Sequence, residues 1–83
     1  MWAIDHLALP RPTPSGYRFI LVMIEQSTRW IEIALCYSTS SRETAQHILQ
    51  YIIANNGPPE YLRVDRASTN LSKLMHIFKI NFI

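Results

Sequence analysis

The sequence predicts an α/β fold with a mixed sheet, in which an antiparallel three-stranded meander is followed by helix, strand, helix and strand. Two apolar runs of strand length, residues 19–24 and 30–35, flank the polar residues 25–28 and are typical of an antiparallel hairpin. A helical stripe of apolar residues over 45–53 separates this hairpin from a short strand at 61–64. Strand, helix and strand in this order predict a right-handed crossover and a partly parallel sheet.

The bulk composition indicates one small domain, spanning residues 1–83. The chain has 83 residues and a formal net charge of +2, and so small a basic excess is weak evidence for an anionic partner. Its single cysteine, Cys36, excludes an internal disulfide. Because no apolar run approaches the length that crosses a membrane, no membrane partner is expected.

The first strand is predicted at residues 2–9, and it carries one acidic residue, Asp5. Three prolines between positions 10 and 14 end this strand, because each lacks a backbone N–H and has a fixed φ. The run 19–24 shows no alternation of apolar and polar residues. We therefore expect that strand to be buried on both faces, as a central strand is.

The clearest helix follows Ser40, which fits a capping box with Glu43 because each side chain can accept a backbone N–H at the helix start. Gly57 is predicted to end it in a left-handed cap, before two prolines. A second helical stripe precedes a final strand at residues 80–83. The stripes consist of Ala45, Ile48, Leu49, Ile52 and Ile53, and of Leu71, Leu74, Met75 and Phe78.

Two acidic residues are candidate metal ligands because of their positions. Asp5 lies within the first strand, and Asp65 follows the strand at 61–64. If these strands are neighbours, the two carboxylates meet at one edge of the sheet, where they could bind Mg²⁺. Two such ions about 3.5–4 Å apart support phosphodiester chemistry. The alternatives are a helix-capping turn residue for Asp65 and a half-exposed polar residue on an edge strand for Asp5.

The remaining chemistry-bearing residues favour structural roles. His6, His47 and His76 are too scattered for a zinc-finger spacing, and only Cys36 could join them, so no structural zinc site is expected. Cys36 has no obvious base partner and is predicted to be a buried or idle thiol. Trp30 could stack on a base, but a core or half-core position is favoured. The arginines that could contact phosphate, with solvated side chains as the default, are Arg11, Arg18, Arg29, Arg63 and Arg66.

Five segments, residues 2–6, 16–22, 27–32, 57–59 and 62–65, read WAIDH, GYRFILV, STRWIE, GPP and LRVD. In this order they resemble the catalytic core of retroviral and long-terminal-repeat retrotransposon integrases. The resemblance implies a ribonuclease H-like fold and metal-dependent joining of DNA. It also implies DNA as a partner, a homodimer and, for an activity on host DNA, the nucleus, although the sequence itself gives no indication of the compartment.

The same resemblance implies which residues bind metal. Asp5 matches the first and Asp65 the second of three acids that bind two Mg²⁺ or Mn²⁺ ions. The third is a glutamate that would follow Ile83, so we expect an incomplete core that is inactive as this chain. The family usually has Asp where Glu25 stands, and an Asn-Gly-like pair where residues 66–67 are Arg-Ala. The missing Gly is expected to distort the loop after Asp65, and the cation of Arg66 is expected to weaken metal binding.

Two other interpretations stay open. The chain could be a non-catalytic interaction module, because an incomplete core exposes apolar surface and residues 80–83 would form a hydrophobic edge. It could also be a degenerate remnant of a transposable element, which the Arg-Ala pair at 66–67 mildly favours.

Overall fold

The computed structural model describes residues 1–57 and 59–64. These residues form the strands β1 (Trp2–Ala8), β2 (Phe19–Glu25), β3 (Ile31–Cys36) and β4 (Leu62–Val64). A continuous helical segment connects β3 to β4 and consists of α1 (Ser41–Ile48), a π-helical part (Leu49–Ile53) and α2 (Ala54–Asn56). The predicted α/β class is confirmed for this part of the chain. The predicted second helix and the final strand at 80–83 lie outside the described residues.

The strands form one mixed sheet in the order β3-β2-β1-β4. Strand β2 is antiparallel to both β1 and β3, whereas β4 is parallel to β1. The register places Asp5 opposite Val22, and Val22 opposite Ile33. On the other side of β1, Ile4 is opposite Val64. The meander and the parallel return predicted from the sequence are therefore both present.

The polar break between β2 and β3 forms a tight turn around Glu25. Its carboxylate accepts hydrogen bonds from the backbone N–H groups of Ser27 and Thr28, each at 3.0 Å. The Glu25 N–H donates to the carbonyl of Trp30 at 2.8 Å, which closes the hairpin. Arg29 has a φ of 65°, so the turn includes one residue in the left-handed region. Side-chain acceptors that bind turn N–H groups explain why this polar run reverses the chain.

The core lies between one face of the sheet and the helical segment. Side chains alternate across a strand, so every second residue of each strand faces the helix. Apolar burial on this face is the main stabilising contribution of the described fold. The buried core residues are Trp2, Ile4, Leu21, Met23, Ala34 and Cys36 from the sheet, with Ala45, Ile48 and Ile52 from the helical segment.

The expectation that β2 is buried on both faces is wrong. Leu21 and Met23 are fully buried under the helical segment, but Ile20, Val22 and Ile24 on the other face are only half-buried. The unbroken apolar run indicates that both faces of the strand are apolar. It does not indicate how fully other elements cover each face. The described helical segment lies over one face only.

The helical stripe also differs from the prediction in one residue. Ala45, Ile48 and Ile52 are buried as expected, whereas Leu49 is 41 % exposed. The N–H of Ala54 donates to the carbonyl of Leu49, which is the five-residue spacing of a π-helix. Leu49 precedes this wider turn and keeps the α-helical spacing, since its own N–H donates to the carbonyl of Ala45, and it lies at the margin of the apolar stripe.

The ends of the helical segment follow the predicted chemistry in part. Ser40 is the N-cap, and its hydroxyl accepts the Glu43 N–H at 3.2 Å. The Glu43 carboxylate, however, accepts N–H groups from residues 37 and 38 and not from Ser40, whose own N–H donates to the Ser38 hydroxyl. Gly57 has the expected positive φ of 77°, but its ψ of 176° is extended, so it is not a left-handed cap. Within the described residues, no helix is both long and apolar enough to cross a membrane.

Candidate functional site

Asp5 lies in the middle of β1 and is half-buried. It points to the face opposite α1, because Ile4 and His6 on either side of it point to the core face. A small cavity of about 170 Å³ opens on this face, and its lining includes Asp5, Val22 and Arg63. Asp5 is therefore on an interior strand of the described sheet, and the edge-strand alternative for this residue is wrong.

The predicted pairing of Asp5 with Asp65 stays a prediction, because Asp65 lies outside the described residues. The structure describes the strand that leads to Asp65. Strand β4 ends at Val64, whose partner in the parallel register is Ile4. The residues that follow Val64 and Ile4 in the sequence are Asp65 and Asp5.

The other residues considered for nucleic-acid contact are on the surface. The described arginines among them, Arg11, Arg18, Arg29 and Arg63, are all exposed, as expected, and Arg66 lies outside the described residues. The prediction that Trp30 is a core or half-core residue is wrong, since its side chain is 61 % exposed. Its indole N–H donates to the Glu32 carboxylate. Trp30 precedes β3, an outer strand of the described sheet, so few neighbours surround it.

A second group of polar side chains, which the sequence analysis did not predict, meets on the core side of the sheet. Cys36 is the last residue of β3, and a four-residue connection brings the start of α1 back over it. Glu43 and His47 lie one helical turn apart on α1 and therefore share a face. One ligand atom from each of Cys36, Glu43 and His47 lies within 4.8 Å of the others. We call these three residues the Cys–Glu–His cluster.

Glu43 is held firmly by the connection that precedes its helix. Its Oε2 accepts the N–H of Tyr37 at 2.7 Å, and its Oε1 accepts both the N–H and the hydroxyl of Ser38 at 2.9 Å. Burial alone would raise the pKa of Glu43. The hydrogen bonds from Tyr37 and Ser38, together with the contribution of His47, outweigh burial and hold the pKa below its ordinary value.

His47 has an unusual environment for a histidine. Its Nε2 lies 3.5 Å from Oε2 of Glu43, which is the outer limit of a hydrogen bond. Both ring nitrogens are buried, and neither has a hydrogen-bond partner among the described residues. The ring lies 6.1 Å from that of Tyr51, centre to centre. A buried donor or acceptor without a partner costs free energy, so the described residues leave the polar contacts of this imidazole incomplete.

Cys36 is fully buried and has a free thiol, as predicted. Burial, and then the negative charge of Glu43, raises the pKa of Cys36 to about 11. The thiol is therefore protonated at neutral pH and is a poor nucleophile. Its Sγ lies 3.6 Å from the carbonyl oxygen of Ala34, to which the S–H donates a weak hydrogen bond.

A surface cavity of about 340 Å³ opens next to the cluster and is lined in part by Glu43 and His47. One wall consists of Tyr17 and Tyr37, whose rings stack at 4.4 Å with an interplanar angle of 21°. Arg42 contributes a cation to the lining. The cavity gives solvent and small solutes a route to two members of the cluster.

The signal for this cluster is weak but present in the sequence. A search for zinc-finger spacing looks for paired Cys and His residues and overlooks a carboxylate ligand. The usable signal is a Glu and a His four residues apart on a predicted helix, just after a cysteine that ends a predicted strand. No protein-family model matches the chain, and a comparison with curated proteins gave no significant match.

Proposed function

We propose that the chain is part of an integrase-like catalytic core that binds DNA and a divalent cation. The observation that carries the proposal is the parallel pairing of β1 with β4, which places Ile4 opposite Val64. The two residues that follow this pair are Asp5 and Asp65, the two acids of the resemblance. The proposal requires the pairing to continue by one residue, so that the carboxylates become neighbours.

The residues of this face fit metal-dependent phosphodiester chemistry. Carboxylate oxygens are the ligands that Mg²⁺ and Mn²⁺ prefer. Arg63 is exposed and lines the same cavity as Asp5, where a guanidinium can contact a DNA phosphate. The 83-residue chain carries two of the three acids that the resemblance implies, so we expect it to bind metal and DNA without joining DNA ends. Metal-dependent strand transfer by the purified chain would contradict the expected inactivity.

A titration with Mn²⁺ followed by amide NMR tests the proposed site. Mn²⁺ is paramagnetic and broadens signals near its binding site. We expect broadening of the amides around Asp5 on β1 and around Val22 on β2, its partner in the register. Asp5→Asn should remove the effect because it removes a charged ligand, whereas Glu60→Gln, at an exposed residue of the described chain, should not. Broadening that is absent, or unchanged in Asp5→Asn, would overturn the proposal.

A second candidate function is a protein-interaction module that forms a homodimer. The observation that favours it is the apolar surface along β3, an outer strand of the described sheet. Five large side chains there are exposed by between 46 % and 61 %. They are Trp30, Ile31, Ile33, Leu35 and Tyr37. Because a contiguous exposed apolar patch is unusual in a monomer, it indicates an interface.

A second copy of the chain is the occupant we propose for this surface. An outer strand has backbone groups that can pair with another strand, and an antiparallel pairing of β3 with itself makes a symmetric interface. Natural outer strands often prevent such pairing with Lys or Pro, and β3 has neither. Its one charged residue, Glu32, already accepts a hydrogen bond from Trp30.

Sedimentation velocity over a range of concentrations tests this second candidate. We expect self-association of the chain and its loss in Ile33→Lys, which places a charge in the middle of the patch. Leu49→Lys, at an exposed apolar residue of the helical segment, is the matched control and should leave the association unchanged. A chain that stays monomeric at high concentration would exclude the homodimer. A chain that neither associates nor binds Mn²⁺ at Asp5 would favour a degenerate remnant.

A further inference from the structure

We propose that Cys36, Glu43 and His47 form a binding site for Zn²⁺ or a divalent cation of similar chemistry. This site is separate from the one proposed at Asp5, because it lies on the core side of the sheet and Asp5 points to the opposite side. It does not depend on DNA binding or on the integrase resemblance.

The positions of the three side chains are the first argument. Their ligand atoms lie within 4.8 Å of one another, and Glu43 Oε2 is 3.5 Å from His47 Nε2. Zinc bonds of about 2.0–2.3 Å in a tetrahedral site separate neighbouring ligand atoms by roughly 3.3–3.8 Å. The present separations exceed these values by at most about 1 Å, so small side-chain rotations would bring the three atoms to one metal ion.

The state of His47 is the second and independent argument. Both of its ring nitrogens are buried, and neither has a hydrogen-bond partner among residues 1–57 and 59–64. Native proteins rarely bury such groups without a partner. A cation on Nε2 would satisfy this nitrogen, which already faces the Glu43 carboxylate. The imidazole is thus placed where a metal ligand would be, and a metal on Nε2 would replace only its long 3.5 Å contact with Glu43.

Glu43 can ligate a cation without releasing the start of the helix. Its Oε1 accepts both hydrogen bonds from Ser38, whereas its Oε2 accepts one, from the Tyr37 N–H. A carboxylate oxygen has two lone pairs, so Oε2 keeps one for a metal. The hydrogen bonds from Tyr37 and Ser38 then orient the carboxylate, as hydrogen bonds to ligating side chains do in known metal sites.

The set of donor atoms selects the metal. One sulfur, one imidazole nitrogen and one carboxylate oxygen are ligands of Zn²⁺, whereas Mg²⁺ prefers oxygen ligands alone. Binding requires the Cys36 thiol to lose its proton, which passes to solvent, and the sulfur then binds as a thiolate. Three protein ligands leave a fourth position for water, and the cavity beside Glu43 and His47 offers it room.

Co²⁺ is the probe that tests this site, because it replaces Zn²⁺ and absorbs light according to its ligands. We would titrate the purified 83-residue chain with Co²⁺ after treatment with a chelator. We expect one thiolate-bound ion per chain, seen as a thiolate-to-cobalt charge-transfer band in the ultraviolet with the strong visible bands of a four-coordinate site, and its displacement by Zn²⁺. Failure to bind, or binding without the thiolate band, would overturn the proposal.

Two ligand variants and two controls test the assignment. Cys36→Ser should abolish the charge-transfer band. His47→Gln should weaken Co²⁺ binding by about 100-fold, because it removes one of three ligands. The circular dichroism of His47→Gln should stay unchanged, since the ring makes no hydrogen bond within the described chain. Weaker binding with an unchanged spectrum would then come from the lost ligand and not from a lost fold. Asp5→Asn should leave the cobalt spectrum as it is, and Glu60→Gln is the control for surface charge. An unchanged affinity in His47→Gln would overturn the assignment.

Discussion

The Nε2 atom of His6 lies 3.2 Å from the Oγ1 atom of Thr44, and this contact joins the middle of β1 to α1. The Thr44 hydroxyl donates its proton to the carbonyl of Ser40 at 2.8 Å. Its oxygen is therefore available to accept, so we assign the proton of the neutral imidazole to Nε2. Both side chains are buried. The strand that carries Asp5 is thus fixed to the helix that carries Glu43 and His47.

Replacing Thr44 by Val should destabilise the chain by about 1–3 kcal/mol, because the buried His6 nitrogen loses this acceptor while the side-chain shape is kept. Chemical unfolding followed by circular dichroism measures the change. Thr44→Ser is the matched control, since it keeps the hydroxyl and loses a methyl group. We expect it to cost less than Thr44→Val. Equal stabilities of Thr44→Val and the original chain would show that the contact contributes little.

The stability of the chain should fall as the pH drops below 6.5. Burial lowers the pKa of His6 below its ordinary value of 6.5; the charges of Asp5 and Glu43 oppose this, and His47 adds to it. The unfolded chain then binds a proton more readily than the folded chain between the two pKa values. The contribution of His6 is therefore full above pH 6.5 and is lost as the pH falls towards the folded pKa.

Urea unfolding at several values between about pH 7.5 and about pH 5.5 measures this dependence. His6→Gln should flatten the profile in that range. Glu43 acts in a separate and more acidic range, because its pKa lies below 4.5 in the folded chain and its contribution is lost as the pH falls through that region. If the stability instead rose as the pH was lowered from about 7.5 to about 5.5, the pH dependence could not be assigned to His6.

Glu43→Gln should destabilise the chain by about 1–2 kcal/mol, because it weakens the charge-assisted hydrogen bonds to Tyr37 and Ser38 and removes a negative charge from the first turn of α1. Thermal and chemical unfolding give the change in stability. Glu60→Gln, at an exposed position outside the helices, should have an effect near zero. If both variants were equally stable, the carboxylate would not be what holds the connection between β3 and α1.

The difference in burial between two adjacent residues of the helical segment is testable. Ile48 is fully buried, so Ile48→Ala should cost about 2–5 kcal/mol through the lost contacts and the cavity left behind. Leu49 is 41 % exposed, so Leu49→Ala should cost less than about 1 kcal/mol. The two residues are adjacent but differ in burial, so the two losses should differ clearly. Comparable effects of the two variants would contradict this difference in burial.

Local patterns predicted most of the described elements. The polar run after Glu25 forms the hairpin turn, and Ser40 caps the helix, because turn and cap chemistry depends on residues that are close in sequence. The order of the elements predicted a partly parallel sheet, whereas the position of β4 beside β1 was only a condition of the Asp5–Asp65 hypothesis and came from the structure. The predictions failed where burial depends on distant neighbours, as for Trp30, Leu49 and the outward side of β2.

The sequence by itself determined that the chain is α/β and that Asp5 lies within a strand, since these depend on hydrophobic period and local propensity. Only the tertiary structure decided that Cys36, Glu43 and His47 meet, and that Asp5 points away from them. The direction of a side chain depends on which face of the sheet the helix covers. The contact of a strand end with a helix depends on how the connection between them folds back. The spacing of residues in the sequence predicts neither this contact nor the direction of the side chain.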